Sequence, residues 1–311
     1  MPISRAEAAE FYRGVEKEEI ACPVCQADNN RILFDRDRFG MGISTSGCLK
    51  CGLVFVNPRP TSMEMTRFYR EHYRKFYESI EIPTQEYIDN GPFAERAQFV
   101  VEKLKSLDAR EWKTVLDIGC SEGTFIRTFK QAFPASECYG LEPDANFAQF
   151  ARENSGAKTI VNSTFQEFFE SHSQAYDLIT LSHVLEHLLN PQEDLDAIRK
   201  LLNADGVFYV EVPNVMHASV QGIANIHLGH VLSLSPFSLQ VLLQQSGFEI
   251  KEFFTEGLPA KTKSMAAICQ VADSDKGSLQ IQWPETEKVE SWLADYQSRC
   301  CPPRKNRQVK S

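Results

Sequence analysis

No apolar run in this sequence approaches the roughly 20 residues of a membrane-spanning helix. Its opening residues carry Arg5, Glu7 and Glu10, so the apolar core of a secretory signal is missing as well. Both absences point to a soluble, cytoplasmic protein without a membrane span. Positive charge is also short: 33 Lys and Arg stand against 42 Asp and Glu, a formal net charge of -9. A broad basic surface for phosphate backbones is therefore excluded, and nucleic acid is disfavoured as a partner, although a local patch remains open. Two nucleotide signatures are missing from the glycine turn Gly119-Cys120-Ser121-Glu122-Gly123. It lacks the Lys-Ser/Thr that follows the second glycine of a P-loop, and it is not the Gly-x-Gly-x-x-Gly dinucleotide fingerprint, which argues against nucleoside triphosphate and NAD.

What the chain has, over 311 residues, is ample length to bury a core in two domains. The run Val115-Leu116-Asp117-Ile118-Gly119-Cys120-Ser121-Glu122-Gly123-Thr124-Phe125 reads as a buried strand breaking into a glycine turn that opens a helix. Gly119 and Gly123 let backbone approach a ligand without Cβ in the way, and the helix points its free N–H groups at that ligand. One βα unit further on, the strand Glu137 to Leu141 ends in Glu142. Tyr176 to Leu188, with His183 after the strand and the pair Glu186-His187, and Leu201 to Pro213, with Gly206 at its turn, follow in order.

In this order and spacing, the four segments resemble the motifs of class I S-adenosylmethionine-dependent methyltransferases. The resemblance implies an α/β fold, a doubly wound seven-stranded Rossmann-like sheet whose ligands lie beyond the carboxyl ends of the first strands. It implies S-adenosylmethionine as cofactor, with Asp117 and Gly119 at the methionine end, Ser121 and Gly123 at the helix start, and Glu142 accepting both ribose hydroxyls. Thr164, Phe165 and Ser182 complete the expected cofactor contacts. Many relatives keep an acid near the adenine after the third strand. This chain reads Asn162-Ser163-Thr164-Phe165 there, so adenine contact falls to backbone or to Thr164.

The nine cysteines are not evenly scattered, and four of them cluster at the amino terminus. Cys22-Pro23-Val24-Cys25 and Cys48-Leu49-Lys50-Cys51-Gly52 form two Cys-x-x-Cys knuckles. In a reducing cytoplasm, four such thiolates favour tetrahedral zinc over disulfides. The loop between them contains the turn Arg38-Phe39-Gly40-Met41-Gly42, and Gly52 relieves crowding where amides turn toward sulfur. A site filled by four cysteines leaves no open coordination position, so the zinc is a folding or docking element. Cys120, Cys138 and Cys269 read as small buried apolar residues, and Cys300 and Cys301 as members of a polar tail without a role.

Domain boundaries follow: a zinc ribbon over 1-60, an aromatic helical linker or lid over 61-92, the methyltransferase domain over 93-272 and a helix with a basic tail over 273-311. The joint after the ribbon resembles zinc-ribbon methyltransferases of sugar and natural-product pathways, in which it folds over the cofactor pocket. Tyr69, Tyr73 and Tyr77 recur every four residues along one helical stripe, packing that helix on the catalytic domain. Strands are predicted near 113–118, 137–141, 158–161, 175–181, 206–212, 248–255 and 264–272, with helices over 94–107 and after the cap Ser235-Pro236. Trp283 to Arg299 forms an amphipathic helix with Val289, Trp292, Leu293 and Tyr296 on one face, which needs the ribbon or another subunit as partner.

Methyl transfer is an in-line displacement that alignment alone can accelerate, but a hydroxyl or carbon-acid acceptor gains from a base near neutral pKa, and histidine is the natural choice. His183, His187 and His230 are the candidates, with Glu186 and His187 expected inside the helix after the fourth strand and His227 a loop residue. In some ubiquinone-pathway O-methyltransferases an acid plus the Glu-His pair binds a divalent cation, and His183 stands where that acid would be. The longer sugar C-methyltransferases carry a further domain after this point; without it, O-methylation of a sugar, glycan or secondary metabolite is the better reading. An RNA methyltransferase and a non-catalytic scaffold are the rivals. The acceptor and the oligomeric state stay open.

Overall fold

Three apolar stretches of the chain, 115–118, 178–181 and 207–212, lie side by side as parallel strands, with 178–181 in the middle and covered on both edges. The computed structural model describes residues 10–11, 13–38, 42–74, 76, 80–107, 110–217, 219–220, 226–259, 263–273, 281 and 283–300. The strands are β1 Lys17–Glu18, β2 Asn30–Phe34, β3 Thr45–Cys48, β4 Val54–Val56, β5 Arg59–Pro60, β6 Thr114–Ile118, β7 Glu137–Leu141, β8 Thr159–Val161, β9 Tyr176–Ser182, β10 Leu202–Pro213, β11 Leu232–Ser233, β12 Phe248–Phe254 and β13 Ser264–Val271. The helices are α1 Ser62–Glu71, α2 Gln85–Asn90, α3 Phe93–Ser106, α4 Thr124–Ala132, α5 Ala145–Asn154, α6 Phe165–Ser171, α7 Pro191–Lys200, α8 Pro236–Gln245 and α9 Thr286–Cys300.

The main sheet has the order β12-β13-β10-β9-β6-β7-β8. Strands β6 to β10 run parallel, and β13 enters antiparallel between β10 and β12. The order reverses between β6 and β9, which is where an open α/β sheet leaves a crevice at its carboxyl ends. All seven predicted strands are present. Helix α3 starts with Glu95, ends with Lys103 and Lys105, which suits the helix dipole, and buries Ala97, Val100, Val101 and Leu104 along one stripe. Ser235 caps α8 in a reciprocal box with Ser238, ahead of Pro236. Cys120, Cys138 and Cys269 are buried as expected.

The ribbon is a four-stranded sheet of order β11-β4-β3-β2, and its fourth strand comes from far along the chain. Leu232 pairs with Phe55 and Ser233 with Val54, so the loop after β10 is hydrogen-bonded to the ribbon. The amphipathic helix finds its partner here: Val289, Trp292, Leu293 and Tyr296 of α9 pack against Leu33, Phe34 and Val54. A Cβ on Gly47 would come within 2.9 Å of Leu293 Cδ2, which shows how closely α9 lies on β3. The helix starts at Thr286, leaving Trp283 exposed outside it under the Lys50 ammonium at 4.1 Å. Cys300 is not in a polar tail; it is buried at the end of α9, because the apolar stripe continues one turn further than its polar sequence suggests. The turn at Phe39 to Met41, Tyr77, Asn225, Cys301 and the basic end lie outside the described residues.

Candidate active site

Four thiols meet at the ribbon's end. Cys22 Sγ lies 3.6 Å from Cys51 Sγ and Cys25 Sγ 3.4 Å from Cys48 Sγ, and all four sulfurs are within 4.8 Å of one another. Zinc–sulfur bonds of about 2.3 Å in a tetrahedron put sulfurs about 3.8 Å apart, so the donor set and its spacing fit one zinc ion. Gly52, with φ +72, turns the chain out of the second knuckle, and its N–H donates to the Cys48 carbonyl at 3.0 Å. The four cysteines are buried and set apart from the main cavity.

That cavity, about 650 Å³, opens at the carboxyl ends of β6, β7 and β9 and is roofed by α1 and the turn after it. Asp117 ends β6, 4% exposed, and accepts from Thr180 Oγ1 at 2.7 Å. Burial, opposed by the Thr180 hydrogen bond and assisted by Glu122 and Glu142, pushes its pKa up to about 7. Gly119 has φ +72, and a Cβ there would lie 2.3 Å from Val184 Cγ2. Gly123, φ +85, caps α4, and a Cβ there would meet Ser155 Cβ at 2.6 Å. Both positions require glycine, for backbone angle and for space.

Glu142 sits at the end of β7, buried, with Oε2 accepting from Ser121 N and Oε1 from Asp144 N, each at 3.0 Å. Burial raises its pKa against the pull of Arg74, whose Nη2 lies 3.6 Å from Oε1. Each carboxylate oxygen keeps a second lone pair for a ligand hydroxyl. Arg74 also reaches Ser121 Oγ at 3.3 Å and stacks 3.8 Å from the Phe147 ring centroid, so the segment after α1 folds over the pocket. Ser182 Oγ is buried in the cavity wall and has no hydrogen-bond partner among the described residues. Phe165 lines the same wall. Thr164 does too, but its hydroxyl accepts from Glu167 N at 3.4 Å and its own N–H donates to Glu167 Oε2 at 3.1 Å. This capping box engages the Thr164 N–H and one lone pair of its hydroxyl, leaving the hydroxyl proton to be donated elsewhere.

At the other end of the cavity four aromatic rings gather. His187 faces Tyr69 and Tyr73, with ring centroids 5.4 Å from each, and His230 at 5.1 Å. Glu186 and His187 are not inside a helix; they occupy the 3-10 turn 185–187 ahead of α7, because Asn190-Pro191 delays the helix start. The tyrosine stripe is likewise interrupted, since α1 ends at Glu71, yet Tyr69 and Tyr73 stay 5.3 Å apart and both pack on Phe68 and line the cavity. Tyr69 Oη donates to the Gly229 carbonyl at 2.7 Å, and His187 Nδ1 donates to the same carbonyl. That fixes the tautomer in which His187 Nε2 carries a free lone pair. Burial lowers the pKa of His187 and lowers that of His230 further, so both rings are neutral at pH 7. His227 lies in the same loop as His230, is 5% exposed, and its ring lies 4.1 Å from that of His230.

His183 differs. Its φ is +56, Nδ1 lies 3.4 Å from Glu186 Oε1, and Nε2 lies 3.0 Å from Ser264 Oγ and 3.4 Å from Glu211 Oε1. Burial and Arg96 oppose its charged form, and the Glu186 and Glu211 carboxylates overcome them, so its pKa stands above the ordinary histidine value. The two carboxylates therefore favour the charged form of this ring, in contrast to His187 and His230. Glu186, His187 and His230 place one ligand atom each within 4.8 Å of one another, a spacing that one divalent cation could span. His183 is not in that set.

Sequence reasoning passed over Arg96 and Glu211. Glu211 is fully buried in β10, takes a hydrogen bond from Tyr209 Oη at 2.9 Å and forms an ion pair with Arg96, whose Nε lies 3.2 Å from Oε1. The signal for Glu211 was a lone charge inside an apolar strand; Arg96 offered none, since it looks like a surface residue of α3.

Residues 89–252 match the family model of the methyltransferase domain. Over 128 residues the chain is 30% identical to a ubiquinone biosynthesis O-methyltransferase of Pectobacterium carotovorum subsp. carotovorum, a match covering 40% of this chain and 52% of that one. A ubiquinone biosynthesis O-methyltransferase of Vibrio atlanticus is 32% identical over 117 residues, 37% of this chain and 48% of its own. The chain thus spans about half the length of these curated relatives. The plantazolicin methyltransferase BpumL, solved with SAH, shares the fold at TM-score 0.52 and 16% identity over 66% of this chain and 93% of its own. The mitomycin 7-O-methyltransferase MmcR does so at TM-score 0.51 and 17% identity, over 67% and 60%.

Proposed function

The chain belongs to the methyltransferase-domain family, and from that membership we propose that it methylates a hydroxyl of a small molecule, a sugar, glycan or secondary metabolite, with S-adenosylmethionine as donor. The observation that carries this reading is one cavity with a buried ribose-type carboxylate, Glu142, at one end and two neutral histidines at the other. The names of the curated relatives put their methyl group on oxygen, which supports oxygen as the accepting atom here.

S-adenosylmethionine supplies a methyl group on a sulfonium: the carbon–sulfur bond breaks as the carbon–oxygen bond forms, and S-adenosylhomocysteine leaves. The chain's own residues bind and align. Glu142 takes the ribose hydroxyls, Gly119 opens the space beside the methionine portion, and Ser182 Oγ finds in the cofactor the partner it lacks. Arg96, ion-paired with Glu211 in the cavity wall, is a cation that would suit the methionine carboxylate, while Asp117 would suit its ammonium. His187 Nε2, with Nδ1 committed to Gly229, receives the acceptor's proton, and His230 beside it shares that role. His183 holds Glu186 and Glu211 in place instead of acting as base. In the ribbon, Cys22, Cys25, Cys48 and Cys51 hold zinc as a structural element.

The test is transfer of labelled methyl to a panel of sugar and phenolic hydroxyls, comparing wild type with His187→Ala and His230→Ala. A general base contributes about 10²- to 10⁴-fold, so kcat should fall on that scale while affinity for S-adenosylhomocysteine stays within about threefold. Wild-type transfer to none of the hydroxyls, or variants with unchanged kcat, would remove the O-methyl or the base assignment respectively.

A further inference from the structure

One cation stands on two residues that the cofactor reading needs. Arg74, in the turn after α1, donates from Nη2 to Ser121 Oγ at 3.3 Å, and the same nitrogen lies 3.6 Å from Glu142 Oε1. Its guanidinium rests 3.8 Å from the centroid of the Phe147 ring of α5. The Arg74 side chain is 13% exposed and that of Glu142 4%, so the carboxylate is covered in the ligand-free protein. Oε1 has two lone pairs, and the Asp144 N–H takes one of them. The other is what a ribose hydroxyl needs, and the guanidinium faces it from ion-pair distance.

The neighbouring fastenings of this segment are of another kind. Tyr69 Oη donates to the Gly229 carbonyl at 2.7 Å, Arg70 Nη2 to the two carboxylate oxygens of Glu167 in α6 at 2.7 and 2.9 Å, and Asn146 Nδ2 of α5 to the Glu81 carbonyl at 3.0 Å. Gly229, Glu167 and Glu81 are not among the expected cofactor contacts, so a ligand can enter with all three fastenings closed. The Arg70–Glu167 pair is also half exposed on both sides, where an ion pair holds weakly. Only the Arg74 contacts draw on the groups that the ribose would use.

We propose that Arg74 is a latch on the cofactor site: it holds the Glu142 carboxylate and the Ser121 hydroxyl in the ligand-free protein, and the ribose has to displace it, so the turn after α1 opens as the cofactor enters. The inference rests on the cofactor reading of the previous subsection. Its kinetic consequence is specific. If only the unlatched fraction binds, the latch slows association and weakens affinity by the same factor, and leaves dissociation alone.

Surface plasmon resonance of S-adenosylhomocysteine on immobilised, zinc-loaded protein reads both rate constants. Arg74→Met keeps an unbranched stem over Phe147 and removes the cation. It should associate at least about threefold faster than wild type, dissociate within about twofold of the wild-type rate and bind correspondingly more tightly. Arg70→Gln, which loosens α1 without touching Glu142, should leave affinity within about twofold. Slower association or weaker affinity in a folded Arg74→Met would make Arg74 a cofactor contact, and a gain below threefold would leave it nothing to guard; either result overturns the latch. An equal gain in Arg70→Gln would trace the effect to a loosened α1 and overturn it too. In each of these cases wild type binds and the cofactor reading stands. If folded wild type does not bind S-adenosylhomocysteine, the cofactor reading fails and takes this inference with it.

Discussion

Asp117 keeps its proton to about pH 7, well above the ordinary 3.8, because burial outweighs the one hydrogen bond it receives. A raised folded pKa means the folded state binds the proton more tightly than the unfolded chain. Its contribution to stability is complete below about pH 4 and is lost as pH rises toward 7. The melting temperature of the ligand-free wild type minus that of Asp117→Asn should therefore fall between pH 4 and pH 7; a constant difference would mean that Asp117 is ionised throughout. Gly119→Ala faces a different limit, a Cβ 2.3 Å from Val184 Cγ2 at a left-handed φ. Destabilisation of about 1–3 kcal/mol by denaturant unfolding is expected, with weakened cofactor binding. At this scale the sequence was legible where one residue type answers one geometric need, as at Gly119 and Gly123. It was not legible at Thr164, whose hydroxyl accepts in a helix cap with Glu167, a role that shows only once the two residues stand side by side.

Among the elements, the pairing of β11 with β4 matters most for function. Val56 N donates to the Val231 carbonyl at 3.0 Å, next to His230, so the sheet beside the cysteine tetrad holds the loop that carries His227 and His230. Zinc removal by a chelator should abolish hydrogen-exchange protection at the amides of residues 231–233 while the β6 to β10 amides keep theirs. Protection that survives in zinc-free protein would show the loop to be held without the ribbon. Trp292 tests the other side of that sheet: it is 7% exposed between α9 and the ribbon, and Trp292→Ala should cost about 3–5 kcal/mol in denaturant unfolding. The central strands β6, β9 and β10 were legible because parallel strands buried on both faces are written as short apolar runs. The two-residue strand β11 was not, since Leu232-Ser233 has no pattern of its own and forms only because Val54 and Phe55 offer an edge.

Over the whole molecule, one buried cluster runs from the cysteine tetrad through Phe55 and Phe68 to Leu181 and Leu242, so the ribbon and the main sheet share a core. From beyond residue 60, β11 and α9 both return to the ribbon. Among the described residues no helix is long and apolar enough to cross a membrane. The central claim is that the cavity between β6 and β7 holds S-adenosylmethionine by its ribose on Glu142. Calorimetric titration of zinc-loaded wild type and Glu142→Ala with S-adenosylhomocysteine tests it most directly. Saturable one-to-one binding to wild type, weakened in Glu142→Ala by about 1.5 kcal/mol or more, roughly tenfold in affinity, is the predicted result. Absence of binding to folded, zinc-loaded wild type, or equal affinity in both proteins, would contradict it.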